Sequence, residues 1–305
     1  FVWLDDDLLK NEKRAISLFN EIVKRNLGIT WDASNGVIAF SCKEEVISAA
    51  EDSGCIGLNI GMESGNPKIL HKIKKPGKVE TFLRAAEVLR KHPKIHSSVL
   101  LMIGFPNETL NMIFDTINVS KQMDLDWYRV TPLIPLPNTP IYDSMIEEGL
   151  VDSNIKDPSL SVVPRAGGPN AQQVLEEQSQ KSLEIEFNEL FKSVGYNSVP
   201  TPNQLTDIWF YMNYYLNFER LFREENHLKI QQQISNLKNI NDVISPENGF
   251  ALYFWTFLEH RLTQKINKNA ISRLRQRLDS SVYWKDRLST FGLTIDKLEN
   301  LSTIN

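Results

Sequence analysis

Two short apolar runs each stop at a glycine and then present small and acidic residues. One is Leu58-Asn59-Ile60-Gly61-Met62-Glu63-Ser64-Gly65-Asn66-Pro67, and the other is Leu101-Met102-Ile103-Gly104-Phe105-Pro106-Asn107-Glu108-Thr109. A carboxylate such as Glu63 accepts hydrogen bonds from hydroxyl or ammonium groups, and the Ser64 hydroxyl can donate or accept. Gly65 lets a backbone approach closely. In parallel α/β architectures such a junction lies at the carboxyl end of a strand, where those folds place their chemistry. Taken alone, a Glu-Ser-Gly turn more often serves structure than a ligand. Two such junctions, in register with a repeating strand–helix pattern, predict a barrel enzyme with a polar ligand across its mouth.

The elements that must position these junctions alternate through the first half of the chain. Phe1 to Leu4 reads as a strand, followed by Asp5-Asp6-Asp7. Apolar residues at Ile16, Phe19, Ile22 and Val23 have the spacing of an amphipathic helix over about 11–25. Gly28 to Trp31 predicts a second strand, ending at Asp32 and a Ser34-Asn35-Gly36 turn. Ser41-Cys42-Lys43-Glu44 fits a capping box for a helix that Gly54 ends. Strands are expected over 55–60, 97–103 and 126–133, with helices over 67–73, 79–91 and 109–122 between them. That alternation implies parallel pairing. Residues 151–172 are rich in loop punctuation and read as a linker, and 173–305 is helical in character. Helices are expected over about 175–192, 203–237, 250–266 and 271–288.

Composition bounds the function. The 305 residues are 41% hydrophobic and 24% charged, with a formal net charge of −4. That balance is of a globular protein and argues against a nucleic-acid-binding domain. No apolar run approaches the roughly 20 residues that span a bilayer. The two cysteines, Cys42 and Cys55, make no disulfide framework and read as buried apolar residues. The absence of a signal sequence, the few cysteines and the acidic charge suggest a cytoplasmic protein. The start at Phe1, inside an expected strand, suggests a fragment.

Four motifs in order resemble the radical S-adenosylmethionine superfamily, in particular its cobalamin-associated branch. They are Trp3-Leu4-Asp5-Asp6-Asp7-Leu8, Gly61-Met62-Glu63-Ser64-Gly65, Ile103-Gly104-Phe105-Pro106-Asn107-Glu108-Thr109 and Pro135-Leu136-Pro137-Asn138-Thr139-Pro140-Ile141-Tyr142. The last has Asn138 where the family usually has Gly. The resemblance covers residues 1–150 and implies a partial (β/α)6 barrel, strands two to six of the family's six, followed by an all-α C-terminal domain.

The resemblance also implies cofactors and roles. S-adenosylmethionine is cleaved at a 4Fe-4S cluster, with cobalamin as a further candidate. Glu63 and Ser64 would meet its ribose or ammonium, with Gly65 allowing close approach, and Lys75 its carboxylate. Ile103 and Gly104 would lie along the adenine edge, Pro135 against its far face, and Asp6 or Asp5 toward the methionyl ammonium or the substrate. Trp31 and Asp32 are weaker candidates to face substrate. Partners would be an electron donor and a small-molecule or lipid-like substrate. The family's Cys-x-x-x-Cys-x-x-Cys loop has no counterpart in this sequence. The expected state is therefore an inactive fragment of a radical enzyme, and the rival expectation is a degenerate barrel acting as a binding or scaffold module.

Overall fold

The computed structural model describes residues 1–5, 7–147, 195 and 197–303. Asp6, the expected linker and the helix expected over 175–192 lie outside the described residues. The chain forms two compact units, one of Phe1–Leu133, Tyr196–Thr201 and Met212–Asn217, the other of Ile134–Gly195, Pro202–Tyr211 and Phe218–Asn305.

The first unit is built on a four-stranded sheet in the order β1-β2-β3-β4, with every pair parallel. The strands are β1 (Trp31–Val37), β2 (Cys55–Glu63), β3 (His96–Ile103) and β4 (Trp127–Pro132). Parallel neighbours need crossovers, and helices supply them. Helix α1 (Glu12–Lys24) precedes β1, and α2 (Glu44–Asp52) joins β1 to β2. Helices α3 (Pro67–Lys72) and α4 (Val79–Arg90) join β2 to β3, and α5 (Leu110–Met123) joins β3 to β4. Leu58, Ile60 and Met62 of β2 and Val99 and Ile103 of β3 are fully buried. Spaced by two or four along their strands, they share a face of each strand and form the centre of the core.

Three local expectations are corrected. The segment Phe1–Leu4 makes only one bridge, Val2 to Asp32, flanked by bonds from Trp3 N–H to the Asp32 carbonyl and from Asp32 N–H to the Phe1 carbonyl. Beyond it, Asp5 and Asp7 accept from the backbone N–H groups of Asp7 and Leu9. Such side-chain acceptors offer the backbone an alternative to a ladder. Strand β1 begins later than expected and runs through Ser34-Asn35-Gly36, absorbing the turn residues as a register shift between Ala33 and Val37. The ladder with β2 outweighs the local turn preference. Ser41 does not cap α2. Its hydroxyl donates to Asp7 Oδ2 at 3.1 Å, and α2 starts after Lys43 with no side-chain cap.

At the edge of β4 a side chain pairs with the strand backbone. Asn217 Oδ1 accepts from Tyr128 N–H at 2.7 Å, and Asn217 Nδ2 donates to the Tyr128 carbonyl at 2.9 Å. The amide of a fully buried asparagine thus replaces one residue of a neighbouring strand.

Helices α6 (Pro140–Glu147), α7 (Pro202–Asn213), α8 (His227–Asn239), α9 (Gly249–Thr263), α10 (Lys268–Ser280), α11 (Val282–Thr290) and α12 (Ile295–Glu299) complete the chain. The long helix expected over 203–237 is broken by a π turn at Tyr214–Phe218 and a 3-10 turn at Glu219–Arg223. Asn226 then caps α8 by accepting from Leu228 and Lys229 N–H. Ser281 likewise accepts from Trp284 N–H and divides the helix expected over 271–288. Small polar side chains restart a helix where periodicity alone runs on. In the second unit Phe218 packs 5.1 Å from Phe250 and 5.5 Å from Phe254, all three buried.

Asn217→Ala removes the two bonds to the Tyr128 backbone and is expected to lower unfolding free energy by about 1–3 kcal/mol. Urea denaturation checks this, and an unchanged midpoint would show that the edge does not need the amide.

Candidate cofactor site

Strand β2 ends in strain. Glu63 has φ +67°, in the left-handed region that a non-glycine residue seldom occupies. The Ser64 N–H reaches back across it to the Met62 carbonyl at 2.9 Å. The pairing with β3 slips at the same place, between Gly61 and Glu63. Strain of this kind persists where surrounding contacts over-determine it, and it concentrates at functional sites.

Those contacts come largely from α5. The Ser64 hydroxyl lies 3.1 Å from Thr116 Oγ1, and the Gly65 N–H donates to that same oxygen at 2.9 Å. Asn66 Nδ2 donates to Asp115 Oδ2 at 2.7 Å, while Asn66 Oδ1 caps α3. A Cβ on Gly65 would stand 2.7 Å from Thr116 Cα and 2.9 Å from the Asp115 carbonyl oxygen. The close approach that Gly65 permits is therefore to the backbone of α5. Ser64 is fully buried, with its hydroxyl engaged inside the chain.

Glu63 and Lys75 meet. Lys75 Nζ is 2.9 Å from Glu63 Oε1, with the two side chains 23% and 21% exposed. Gly61 makes room for them: a Cβ there would lie 3.0 Å from Lys75 Nζ and 3.2 Å from Glu63 Oε1. Sequence reasoning treated Gly61 only as a strand end. Its place two residues before Glu63, on the same face of the strand, was the signal available.

The junction after β3 lies at the same end of the sheet, since β2 and β3 are parallel and Glu63 pairs with Leu101. Lys72 of α3 ties the two junctions together by donating to the Pro106 carbonyl at 3.1 Å. Gly104 turns the chain at φ +87°. Its N–H donates to Glu108 Oε2 at 2.6 Å, and the Phe105 N–H to the same oxygen at 3.1 Å. The Ile103 carbonyl accepts from Leu133 N–H at 2.8 Å. Thr109 caps α5, and Glu108 folds back to hold the turn.

Burial pushes the Glu108 carboxyl up to about 7, against the two backbone donors that pull it down. Its Oε1 is buried with no partner among the described residues. Gly104, Phe105 and Glu108 thus form a turn braced by a carboxyl that titrates near neutrality.

Pro135 is buried and follows β4 by three residues, in the second unit. Asp5 accepts from Asp7 N–H and pairs with Arg14 at 3.5 Å, at the start of α1. Trp31 does not face a ligand. It is fully buried, stacks 5.0 Å from Phe19 and donates to Ser53 Oγ at 3.0 Å.

Residues 3–119 match the model of the Radical SAM superfamily. Over these residues the chain is similar to that superfamily. Over 149 residues the chain is 33% identical to an uncharacterised methyltransferase of Pyrococcus horikoshii, covering 49% of this chain and 32% of that protein. It is 30% identical over 146 residues to the bacteriochlorophyllide d C-12(1)-methyltransferase of Chlorobaculum tepidum, covering 48% and 31%. A tRNA-2-methylthio-N(6)-dimethylallyladenosine synthase of a Nitratiruptor species is 28% identical over 150 residues, covering 49% and 34%. The chain thus spans about a third of the length of these relatives. The radical S-adenosylmethionine methyltransferase TsrM of Kitasatospora setae, solved with cobalamin and a [4Fe-4S] cluster, aligns at 12% identity with a TM-score of 0.47, covering 92% of this chain and 52% of that one.

The superfamily uses S-adenosylmethionine and a 4Fe-4S cluster. The cysteines of this chain do not fit the cluster. Such a cluster takes thiolates, and Cys42 and Cys55 lie in different elements, both buried, with burial pushing each thiol up to about 12. Among the described residues no three His, Cys, Asp or Glu side chains gather as a metal-holding group. No helix of the described residues is long and apolar enough to cross a membrane.

Glu108 makes stability depend on pH with a definite sign. Its folded pKa of about 7 lies above the ordinary 4.5, so the folded state holds the proton more tightly. Stability from this group is full below pH 4.5 and falls as pH rises to about 7, by up to about 1.4 kcal/mol per unit. Urea midpoints at pH 5 and pH 7.5 should fall for the natural chain and fall less for Glu108→Gln. Equal slopes would show the carboxyl already ionised at pH 5.

Proposed function

We propose that this chain supplies the S-adenosylmethionine-holding part of a radical enzyme that transfers a methyl group and uses cobalamin as a second cofactor. The observation that carries the reading is the Glu63–Lys75 pair at the strained end of β2, beside the Gly104 turn. A zwitterionic methionyl group presents an ammonium and a carboxylate together. An acid and a base 2.9 Å apart can each turn to the opposite charge.

Glu63 and Lys75 would hold the methionyl end, with Glu63 also in reach of a ribose hydroxyl. Ser64 and Gly65 position Glu63 through their contacts with α5. Ile103 and Gly104 would flank the adenine, and Asp6 would face the methionyl ammonium or the substrate. Bound there, S-adenosylmethionine supplies the sulfonium whose cleavage starts radical chemistry. The chain's part is to bind, orient and shield it. Cys42 and Cys55 are not the thiolates of the cluster.

Methyl transfer is supported by the names of the Pyrococcus and Chlorobaculum relatives, and cobalamin by the branch that the ordered motifs resemble. A small-molecule or lipid-like substrate, an electron donor and a cytoplasmic location complete the reading. The net charge of −4 supports a substrate other than nucleic acid, although the Nitratiruptor relative is named for tRNA. The buried cysteines favour a second reading, a barrel that binds S-adenosylmethionine without cleaving it.

Isothermal titration of S-adenosylmethionine into the 305-residue chain tests the shared claim. Glu63→Gln and Lys75→Ala should each weaken binding by about tenfold, 1.4 kcal/mol, with unchanged circular dichroism. No binding by the natural chain, or equal binding by both variants, sinks the reading.

A further inference from the structure

Arg287 of α11 is only 4% exposed, yet among the described residues no carboxylate pairs with it. Its guanidinium carbon lies 4.7 Å from the ring centroid of Phe210 and 4.6 Å from that of Tyr283. Phe210 in turn packs 6.1 Å from Tyr283 and 5.3 Å from Phe250. The charge is therefore buried inside an aromatic cluster of the second unit. Its Nε has no hydrogen-bond partner among the described residues.

A buried charge is costly unless paired and hydrogen-bonded. Ring contacts recover part of that cost through the faces of the guanidinium. They leave its in-plane N–H donors unused, and those donors match an oxyanion in a fork geometry. Two other arginines of the same unit meet acids. Arg273 meets Asp242 at 3.1 Å and Glu247 at 2.8 Å, and Arg275 meets Glu299 at 2.8 Å. Arg287 differs from these two, with aromatic walls in place of an acid.

We propose that Arg287, walled by Phe210 and Tyr283, is the anchor of a binding site for the oxyanion of a small molecule, a carboxylate or phosphate group. The rings select for a flat or apolar body next to that anion, because they offer faces and no further charge. Arg287 belongs to the second unit and the Glu63–Lys75 pair to the first.

Thermal unfolding and isothermal titration of the 305-residue chain with inorganic phosphate, and separately with benzoate, test it. Sodium chloride at matched ionic strength is the control. The natural chain should show a saturable rise in midpoint with at least one of the two anions and none with chloride. Phosphate alone would assign a phosphate group, and benzoate alone a carboxylate beside a flat body. Arg287→Met should abolish the rise, and Arg287→Lys should weaken it by about tenfold, because the fork is lost while the charge remains. If neither anion exceeds the chloride control on the natural chain, or if Arg287→Met keeps the rise, the proposal is overturned. Should Arg287→Met fail to fold, the natural chain and Arg287→Lys decide alone.

Discussion

The parallel pairing of β2 with β3 is the constraint from which the candidate site follows. Parallel strands send their carboxyl ends the same way, so Glu63 and Gly104 emerge as neighbours although they are far apart in sequence. The pairing alone does not hold the loops in place. That is done by α5, the crossover out of β3, which docks its backbone against Gly65 and anchors Ser64 and Asn66 through Thr116 and Asp115. One helix therefore connects the end of one junction to the packing of the other. The strained backbone of Glu63 is stable because this surrounding structure leaves it no relaxed alternative.

Charge is managed differently at the two junctions. Glu63 and Lys75 neutralise each other and keep roughly a fifth of their side-chain surface in solvent, so each can exchange its partner for a ligand group at modest cost. Glu108 is sealed, and its two backbone donors do not fully compensate for burial. The first arrangement suits recognition. The second suits a fixed turn, because the carboxyl is satisfied only when Gly104 and Phe105 keep their places. In the second unit, Arg287 shows a third arrangement, a buried cation held by ring faces.

The order of strands and helices in the first unit was legible because it rests on local patterns. Apolar runs at Cys55–Ile60 and Ser97–Ile103, and Asn66-Pro67 before α3, report their own structure. Where a distant partner competed, the pattern misled. Ser41 was claimed by Asp7, a residue 34 positions away, and so did not cap α2. The Ser34-Asn35-Gly36 turn was drawn into β1 by β2. In the helical half, short polar caps at Asn226 and Ser281 were weaker signals than the apolar periodicity they interrupt.

By itself the sequence determined the strand–helix alternation, the location of two polar junctions at strand ends, the family resemblance of the first half and the mismatch of its two cysteines with an iron–sulfur cluster. These depend on residue type and near spacing, which a linear pattern carries. Tertiary structure alone decided that Lys75 meets Glu63, that Gly65 serves α5, that Glu108 turns inward, and that Asn217 pairs with the edge of β4. Each of these joins groups whose attraction depends on distance and burial, and neither quantity exists until the chain has folded.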